Sequence, residues 1–230
     1  MSEKVRSMFG SIAESYDRIN RILSLGIDQM WRKRAVKESA AKSGEWVLDC
    51  ATGTGDLAML FKKAVGSSGR VLGTDFSPEM ISYAPGKAQK ANLEIDYEVA
   101  DTLALPYESN QYDIASIAFG IRNVDDPVLG LQEMARVCKP GGRVMVLEFG
   151  QPKGLFGALY RFYSYTVMPT IGGWLSGNRE AYVYLPETSA AFPAGDDFLA
   201  LMTQSKAFSS TRAVKLSGGI AYVYVGTVAN

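Results

Sequence analysis

Residues 46–56 read WVLDCATGTGD, a short apolar run that ends near an aspartate and leads directly into two glycines. Such a run predicts a buried strand, and the glycines predict a tight turn into a helix. Similar runs recur along the chain: RVLGTD at 70–75, LEIDYEVA at 93–100, YDIASIAFG at 112–120 and RVMVLEFG at 143–150. Helical stretches separate most of these runs, and strands that alternate with helices favour βαβ units and a parallel sheet.

The two ends of the chain depart from this alternation. Residues 1–40 carry apolar side chains at steps of three and four, which predicts an N-terminal helical cap. Residues 151–178 form an apolar insertion that is rich in aromatic side chains. Beyond it, two β-rich runs joined by Gly218 and Gly219 predict an antiparallel hairpin. We therefore predict an α/β fold in a single domain over 1–230, with a mixed seven-stranded sheet and helices on both faces.

The composition argues against several classes of function. Lysine and arginine number 24, as do aspartate and glutamate, so the net charge of zero argues against a nucleic-acid partner. The chain has no histidine, which excludes a Ser-His-Asp triad and the usual zinc ligand, and we predict no metal site. Cys50 and Cys138 lack CxxC partners, and no stretch has the apolar length of a membrane span. We predict a reducing, cytoplasmic setting.

The glycine loop after the first strand predicts a nucleotide-binding site. Asp49 ends the strand, and Gly53 and Gly55 let a ligand approach the backbone N–H groups at the following helix start. Asp75 ends the second strand 20 positions after Gly55, where a carboxylate accepts hydrogen bonds from ribose hydroxyls. Together these features predict adenosine binding. The alternative is a tight turn in which Asp56 caps the helix.

A dinucleotide-dependent dehydrogenase is a second interpretation, since the loop also fits the relaxed G-x-G-x-x-A pattern. The YxxxK motif of the chain runs from Tyr83 to Lys87. Pro85 and Gly86 lie inside it, and we expect them to break the helix that would place both side chains on one face. With histidine also missing, the usual proton donors of hydride transfer are absent, which argues against a dehydrogenase.

Several motifs resemble those of class I S-adenosylmethionine-dependent methyltransferases. They are VLDCATGTG at 47–55, VLGTD at 71–75, AD at 100–101 and RVCKPGGRVMVLEF at 136–149. A second set resembles the C-methyltransferases of menaquinone and ubiquinone biosynthesis: YDRIN at 16–20, LSLGID at 23–28, FGIRN at 119–123, LEFGQP at 147–152 and AYVYLPET at 181–188. Together the motifs cover nearly the whole chain. One departure is Asp28, where this family usually places histidine.

The resemblance implies a Rossmann-like methyltransferase fold and S-adenosyl-L-methionine as the cofactor. It implies that Thr54 contacts the methionine end, that Asp101 and Thr102 contact the adenine region, and that Ala118 and Phe119 form a floor beside the sulfonium. The residue pattern alone leaves Asp101 open as a solvated loop carboxylate. The predicted cofactor-binding residues are Asp49, Gly53, Thr54, Gly55, Asp75, Asp101, Thr102, Ala118 and Phe119.

The resemblance further implies methylation of a ring carbon of a prenylated quinol, with demethylmenaquinol as the predicted acceptor. The carbon is more nucleophilic when a neighbouring hydroxyl loses its proton, and a phenol titrates near ~10 in water. Arg122 follows the fourth strand and is predicted to stabilise the resulting oxyanion, with Asn123 orienting a hydroxyl or a water. The alternative for Arg122 is a salt bridge with Asp125 or Asp126, one of which we expect to cap the next helix.

Tyr16, Asn20, Phe156 and Tyr160 are the predicted substrate-binding residues. Tyr16 also fits the apolar stripe of the first helix, so a core position suits it equally well. We expect the insertion at 151–178 to cover the substrate site. Its aromatic side chains could line a tunnel for an isoprenoid tail or rest on the inner face of the membrane, or they could simply form a small helical cap.

Other functions and assemblies stay open from the sequence. Methylation in the ubiquinone pathway and N-methylation of a lipid headgroup are alternative reactions, which product masses would separate. A non-catalytic cofactor-binding subunit of a quinone-synthesis assembly would bind the cofactor without turnover. A homo-oligomer is also compatible with the sequence.

Overall fold

The computed structural model describes residues 3–230, and within that range the strands form a mixed seven-stranded sheet. The strand order is β3-β2-β1-β4-β5-β7-β6. The strands are β1 Trp46–Cys50, β2 Arg70–Asp75, β3 Asp96–Val99, β4 Tyr112–Ala118, β5 Cys138–Phe149, β6 Phe208–Leu216 and β7 Ala221–Val228. Strands β1 to β5 run parallel, whereas β7 is antiparallel to both β5 and β6. The predicted mixed sheet and C-terminal hairpin are confirmed.

Helices precede the sheet, connect its parallel strands and fill the long segment between β5 and β6. They are α1 Glu3–Leu23, α2 Ile27–Glu38, α3 Asp56–Val65, α4 Pro78–Ile81, α5 Ala84–Lys90, α6 Pro127–Val137, α7 Gly154–Phe162, α8 Met168–Ser176, α9 Arg179–Ala191 and α10 Asp196–Gln204. A π-helical turn at Tyr163–Val167 joins α7 to α8, and short 3-10 turns occur at Ile121–Asn123 and Ser217–Gly219.

The hydrophobic core lies on both faces of the sheet. Val47 and Leu48 are consecutive in β1 and belong to different buried clusters, as alternation along a strand requires. Phe61 of α3 packs in the cluster that contains Val47, and Leu131 of α6 and Phe198 of α10 pack in the cluster that contains Leu48. Burying a side chain of this size contributes about 1.5–3 kcal/mol. Helices therefore cover both faces, as predicted.

The two segments that interrupt the strand–helix alternation pack against each other. Ile19 of α1 lies in a buried cluster with Tyr182 of α9. The Tyr163 hydroxyl donates a hydrogen bond of 2.6 Å to the Leu23 carbonyl oxygen at the end of α1. Both segments are helical, and together they form a cap beside the sheet.

The predicted helix break at Pro85 and Gly86 is wrong. Helix α5 continues through both residues, because Pro85 lies in its first turn, where a missing N–H removes no intrahelical hydrogen bond. The interruption comes earlier, at Ser82 and Tyr83 between α4 and α5. Lys87 is consequently held on a helix that lies beside the glycine loop.

Candidate active site

A buried carboxylate holds the start of the glycine loop. Asp49, near the end of β1, accepts hydrogen bonds from the hydroxyls of Thr52 and Ser116, each at 2.7 Å. Its side chain is fully buried, and desolvation raises the pKa of Asp49 to about 6. The two hydrogen bonds fix the path of the chain where β1 turns into the loop.

Close contacts require glycine at two positions around the loop. Gly55 has a φ of 86°, and a Cβ there would lie 2.6 Å from the Tyr97 hydroxyl. A Cβ at Gly120, after β4, would lie 2.6 Å from the Cβ of Ala51. Ala51 and Phe119 themselves have φ values of 47° and 57°, in a region that side-chain-bearing residues rarely adopt. Such strain concentrates at ligand sites.

A narrow cleft of about 70 Å³ lies among the carboxyl ends of β1, β2 and β4. The structure brings these predicted cofactor residues into its wall: Gly53, Asp75, Asp101, Thr102, Ala118 and Phe119. Three other predicted cofactor residues, Asp49, Thr54 and Gly55, are not in that wall. Asn123, predicted to act on the substrate, lines this cleft as well.

Asp75 retains hydrogen-bonding capacity toward the cleft. Its Oδ2 accepts the Gly53 N–H at 2.8 Å, and its Oδ1 accepts the Ser77 N–H at 2.9 Å. Burial raises the pKa of Asp75. Each carboxylate oxygen accepts more than one hydrogen bond, so both remain available to hydroxyl groups of a ligand. Asp101 lies across the cleft, and its Oδ1 accepts the Leu103 N–H at 3.0 Å.

A charged network that sequence reasoning missed joins the N-terminal cap to the glycine loop. Lys87 Nζ donates to Asp56 Oδ1 at 2.7 Å and to Thr54 Oγ1 at 2.9 Å. It also donates to Asp17 on α1, whose Oδ1 accepts from Thr54 Oγ1 at 2.6 Å. Asp56 therefore does not cap α3, which follows Gly55 without a side-chain cap. Lys87 belongs to the YxxxK motif, which was the feature of the sequence that could have pointed to this network.

A larger cavity of about 310 Å³ lies between the sheet edge and the helical cap. The predicted residues Tyr16, Asn20, Tyr160 and Arg122 line it. Phe156 does not line it, since its side chain is 49% exposed and lies against Gly218; its contact with substrate stays a prediction. Most of the wall is apolar or aromatic and includes Phe9, Ile12, Leu23, Trp31, Phe149, Met168 and Tyr182.

Phe119 connects the two spaces. Phe9, Tyr16 and Phe119 line both the narrow cleft and the larger cavity. Phe119 also packs on Phe149, with ring centroids 4.4 Å apart. A group bound in the cleft and a group bound in the cavity would therefore meet at Phe119.

Arg122 is buried in the wall of the cavity and paired. Its Nη1 donates to Glu148 Oε1 at 2.9 Å and to the Phe119 carbonyl oxygen. The guanidinium lies 5.4 Å from the centroid of the Phe149 ring. The predicted alternative of a salt bridge is correct in kind, but the partner is Glu148 of β5 and not a nearby aspartate. Asp126 instead caps α6, as expected for one of the pair.

Comparisons with known proteins identify the family. The ubiE/COQ5 methyltransferase family matches residues 1–228. The chain belongs to this family. It is 56% identical over 227 residues to the ubiquinone/menaquinone biosynthesis C-methyltransferase of Bdellovibrio bacteriovorus, which covers 98% of this chain and 96% of that protein. It is 46% identical to the demethylmenaquinone methyltransferase of Thermus thermophilus, over 95% of this chain and 99% of that protein.

Solved structures agree on the fold of this ubiE/COQ5 family member. A SAM-dependent methyltransferase from Thermotoga maritima matches with a TM-score of 0.68 and 19% identity, over 96% of this chain and 98% of the other. The predicted Rossmann-like class I fold and the prediction of an S-adenosylmethionine-dependent methyltransferase are confirmed. The dehydrogenase interpretation of the glycine loop is thereby excluded.

Polar groups without partners mark positions in the cavity where a ligand oxygen or a water would bind. Arg122 Nε and the Tyr182 hydroxyl are buried and have no hydrogen-bond partner within residues 3–230. Both residues line the larger cavity. Buried polar atoms are nearly always satisfied, so such exceptions are typical of binding sites. Nearby, the Tyr184 hydroxyl donates to Asn123 Oδ1 at 2.9 Å and fixes that amide.

Among residues 3–230, none of the helices is both long enough and apolar enough to cross a bilayer. In the same range, the cysteine, aspartate and glutamate side chains form no group suited to hold a metal ion.

Proposed function

We propose that this family member methylates a ring carbon of a prenylated quinol, with demethylmenaquinol as the acceptor and S-adenosylmethionine as the donor. Phe119 carries the proposal, because this residue belongs to the walls of both the cleft and the aromatic cavity. A donor in the cleft and a quinol ring in the cavity would come together there. The printed names of the relatives from Bdellovibrio and Thermus support this class of acceptor.

The cleft residues suit the proposed donor. Asp75 has acceptor capacity left for the two ribose hydroxyls, and Asp101 and Thr102 line the cleft beside it. Gly53 contributes no side chain and leaves the loop open to the ligand. When bound, S-adenosylmethionine supplies an electrophilic methyl group on a sulfonium.

The cavity would orient the acceptor ring and exclude water. The ring of Trp31 lies 6.2 Å from those of Phe119 and Phe149, measured between centroids, and the three form an aromatic wall. In methyl transfer, alignment of the reacting atoms is itself a large contribution to rate. Arg122 and Asn123 are the polar groups of this region that we assign to the ring hydroxyl, Arg122 by stabilising negative charge on oxygen and Asn123 by orienting it.

Product analysis tests the proposal. The purified protein is incubated with S-adenosylmethionine and one acceptor at a time: demethylmenaquinol, the corresponding ubiquinone precursor or a lipid with a free amine. Methylation of demethylmenaquinol alone supports the proposal. Preference for the benzoquinol or the amine would assign the alternative reaction, and cofactor binding without any product would indicate a non-catalytic subunit.

An exposed apolar surface adjoins the cavity and suggests where the substrate enters. Leu25, Leu155, Leu159, Phe162 and Trp174 are between 61% and 89% exposed. The three residues from α7 recur at helical spacing and share one face. Of these residues, Leu25 also lines the cavity. We propose that this surface contacts the bilayer that holds the isoprenoid tail.

Vesicle flotation tests this contact. Replacing Leu155 and Phe162 with glutamate should abolish flotation with phospholipid vesicles, because charge disfavours insertion. Leu129→Glu, at an exposed position of α6, is the matched control and should float like the wild type. Equal flotation of all three proteins would contradict the proposal. Loss of a dimer in the double variant, without any change in flotation, would assign the surface to a second copy of the chain.

A further inference from the structure

A second ion pair lies in the wall of the larger cavity. Asp28 and Arg32 on α2 are 7% and 8% exposed, and Arg32 Nη1 donates to Asp28 Oδ2 at 3.0 Å. The Ser24 hydroxyl donates to Asp28 Oδ1 at 2.8 Å, and the Gln29 amide donates to Oδ2 at 3.0 Å. Of the residues that line this cavity within 3–230, Asp28 is the one that carries a carboxylate. Oδ1 has one hydrogen bond from this set and retains acceptor capacity.

The pair is placed close to the point where the two spaces meet. The Arg32 guanidinium lies 5.1 Å from the centroid of the Phe119 ring. Arg122 donates to the backbone carbonyl oxygen of the same residue. Arg32, Arg122 and Asp28 all line the cavity to which Phe119 belongs, so a ring bound there would share the cavity with both guanidinium groups and with the Asp28 carboxylate.

We propose that Asp28 is the catalytic base, which takes the proton from the quinol hydroxyl beside the carbon that is methylated. The proposal rests on the proposed function. As the ring carbon forms its bond to the methyl carbon with a π-electron pair, the bond from methyl to sulfur breaks and its pair stays on sulfur. The O–H pair then forms the C=O bond, and the proton moves to the Asp28 carboxylate. Loss of the ring C–H proton to water and return of the first proton to oxygen restore the quinol, with one proton released overall.

A carboxylate is a sufficient base if it acts during the attack. A free phenol titrates near ~10 and an aspartate near ~3.9, so complete transfer before the attack would be strongly uphill. As the ring carbon donates its electrons, however, the O–H becomes far more acidic than that of a phenol, and the negative charge that develops on the oxygen as its proton leaves is the charge assigned to Arg122. Proton transfer to a positioned carboxylate at that moment is general base catalysis, typically worth roughly 10²–10⁴-fold.

Other charged and titratable groups surround Asp28 and bear on any pH profile. Gln29 Nε2 bridges Asp28 to Asp56, donating to Asp56 Oδ2 at 2.8 Å. The remaining groups on the cavity wall are Arg32, Tyr16, Arg122, Tyr160, Tyr163, Tyr182 and Tyr184. The competing role for Asp28 is structural: to neutralise the buried Arg32.

Paired substitutions separate the two roles. Asp28→Asn keeps the shape and removes the base, so kcat should fall roughly 10²–10⁴-fold while cofactor affinity, measured by calorimetry, changes little. Thermal stability should fall as well, because the buried Arg32 loses its carboxylate partner. Asp28→His restores a base that titrates near ~6.5, so turnover should recover in part and the acid limb of the pH–rate profile should move up toward that value. Asp113→Asn, at the opposite edge of the sheet, is the control and should match the wild type.

Specific outcomes would overturn the assignment. Wild-type kcat in the Asn variant would show that Asp28 has only the structural role of neutralising Arg32. An unchanged acid limb in the pH–rate profile of the His variant would show the same. If the Asn variant unfolds, the pH profile of the His variant decides alone. A wild-type protein that methylates no quinol would contradict the proposed function itself and the role of Asp28 with it.

Discussion

Arg122 and Glu148 form an ion pair of 2.9 Å whose side chains are 3% and 1% exposed. A buried charge without a partner is unfavourable, so removing one partner of a buried pair typically costs about 3–5 kcal/mol of folding free energy. The pair also holds the guanidinium next to Phe119, because Arg122 Nη1 donates to the Phe119 carbonyl oxygen. Glu148 therefore sets both the position and the local charge of the group assigned to the substrate oxyanion.

Arg122→Met should lower kcat by roughly two to three orders of magnitude while calorimetry shows unchanged cofactor affinity, because the charge that stabilises the oxyanion is lost. Arg122→Lys should retain only part of the turnover, since lysine lacks the planar, bidentate guanidinium. The single substitution also leaves the buried Glu148 carboxylate without its ion-pair partner. The double variant with Glu148→Gln is thus the control: it should recover thermal stability but not turnover. Recovery of turnover in the double variant would mean that Arg122 is only structural.

Asp75→Ala should weaken S-adenosylmethionine binding by about 1–3 kcal/mol, because it removes the acceptor assigned to the ribose. The substitution also removes the acceptor of the Gly53 and Ser77 N–H groups, so part of the loss would come from a looser loop. Titration calorimetry measures the affinity. Asp96→Ala, at the start of edge strand β3, should bind like the wild type. Equal affinities for all three proteins would mean that another residue binds the ribose.

Asp49 should make the folded state less stable as the pH rises. Its pKa is raised from 3.8 to about 6, so the folded protein binds this proton more tightly than the unfolded chain does. Stability from this group is therefore full below pH ~4 and is lost as the pH rises through ~6, by about 3 kcal/mol in all. In Asp49→Asn that loss should be absent. Urea unfolding of both proteins at the two pH values gives the difference, and identical pH slopes would refute the burial argument.

Lys87→Met should loosen the N-terminal cap, because Asp17 and Asp56 would lose their shared cation. These carboxylates are only 23% and 10% exposed, so water replaces Lys87 poorly. Limited proteolysis should cut near α1 several-fold faster than in the wild type. Lys90→Met, on the last turn of the same helix, is the control. Equal cleavage rates for Lys87→Met and the control would show that apolar packing alone holds the cap.

The sheet and the cleft were predictable because their signals are local. Strand runs such as 112–120 are continuous apolar segments, and parallel strands place their carboxyl ends at one edge. That is why Gly53, Asp75 and Asp101, far apart in sequence, could be assigned to one site before the structure was known.

The partners of charged groups were not predictable, because they come from distant segments. Glu148 lies 26 positions from Arg122, in a run whose pattern indicates only a strand. Lys87 and Asp17 are 70 positions apart, and nothing local in the sequence pairs them. The position of Phe156 outside the cavity wall was not predictable for a different reason: aromatic character indicates burial or contact, but the rotation of α7 decides which side of the helix faces the cavity.

In the proposed function, a methyl group passes to the ring of a prenylated quinol where the two spaces meet at Phe119. This transfer is tested with S-adenosylmethionine that carries a trideuterated methyl group, reduced demethylmenaquinone and the purified protein, followed by fragmentation mass spectrometry of the product. We expect a single trideuteriomethyl group on the ring carbon next to a hydroxyl, with the isoprenoid tail unlabelled. Label on oxygen, label on the tail, or no label while the protein binds the cofactor normally would contradict it.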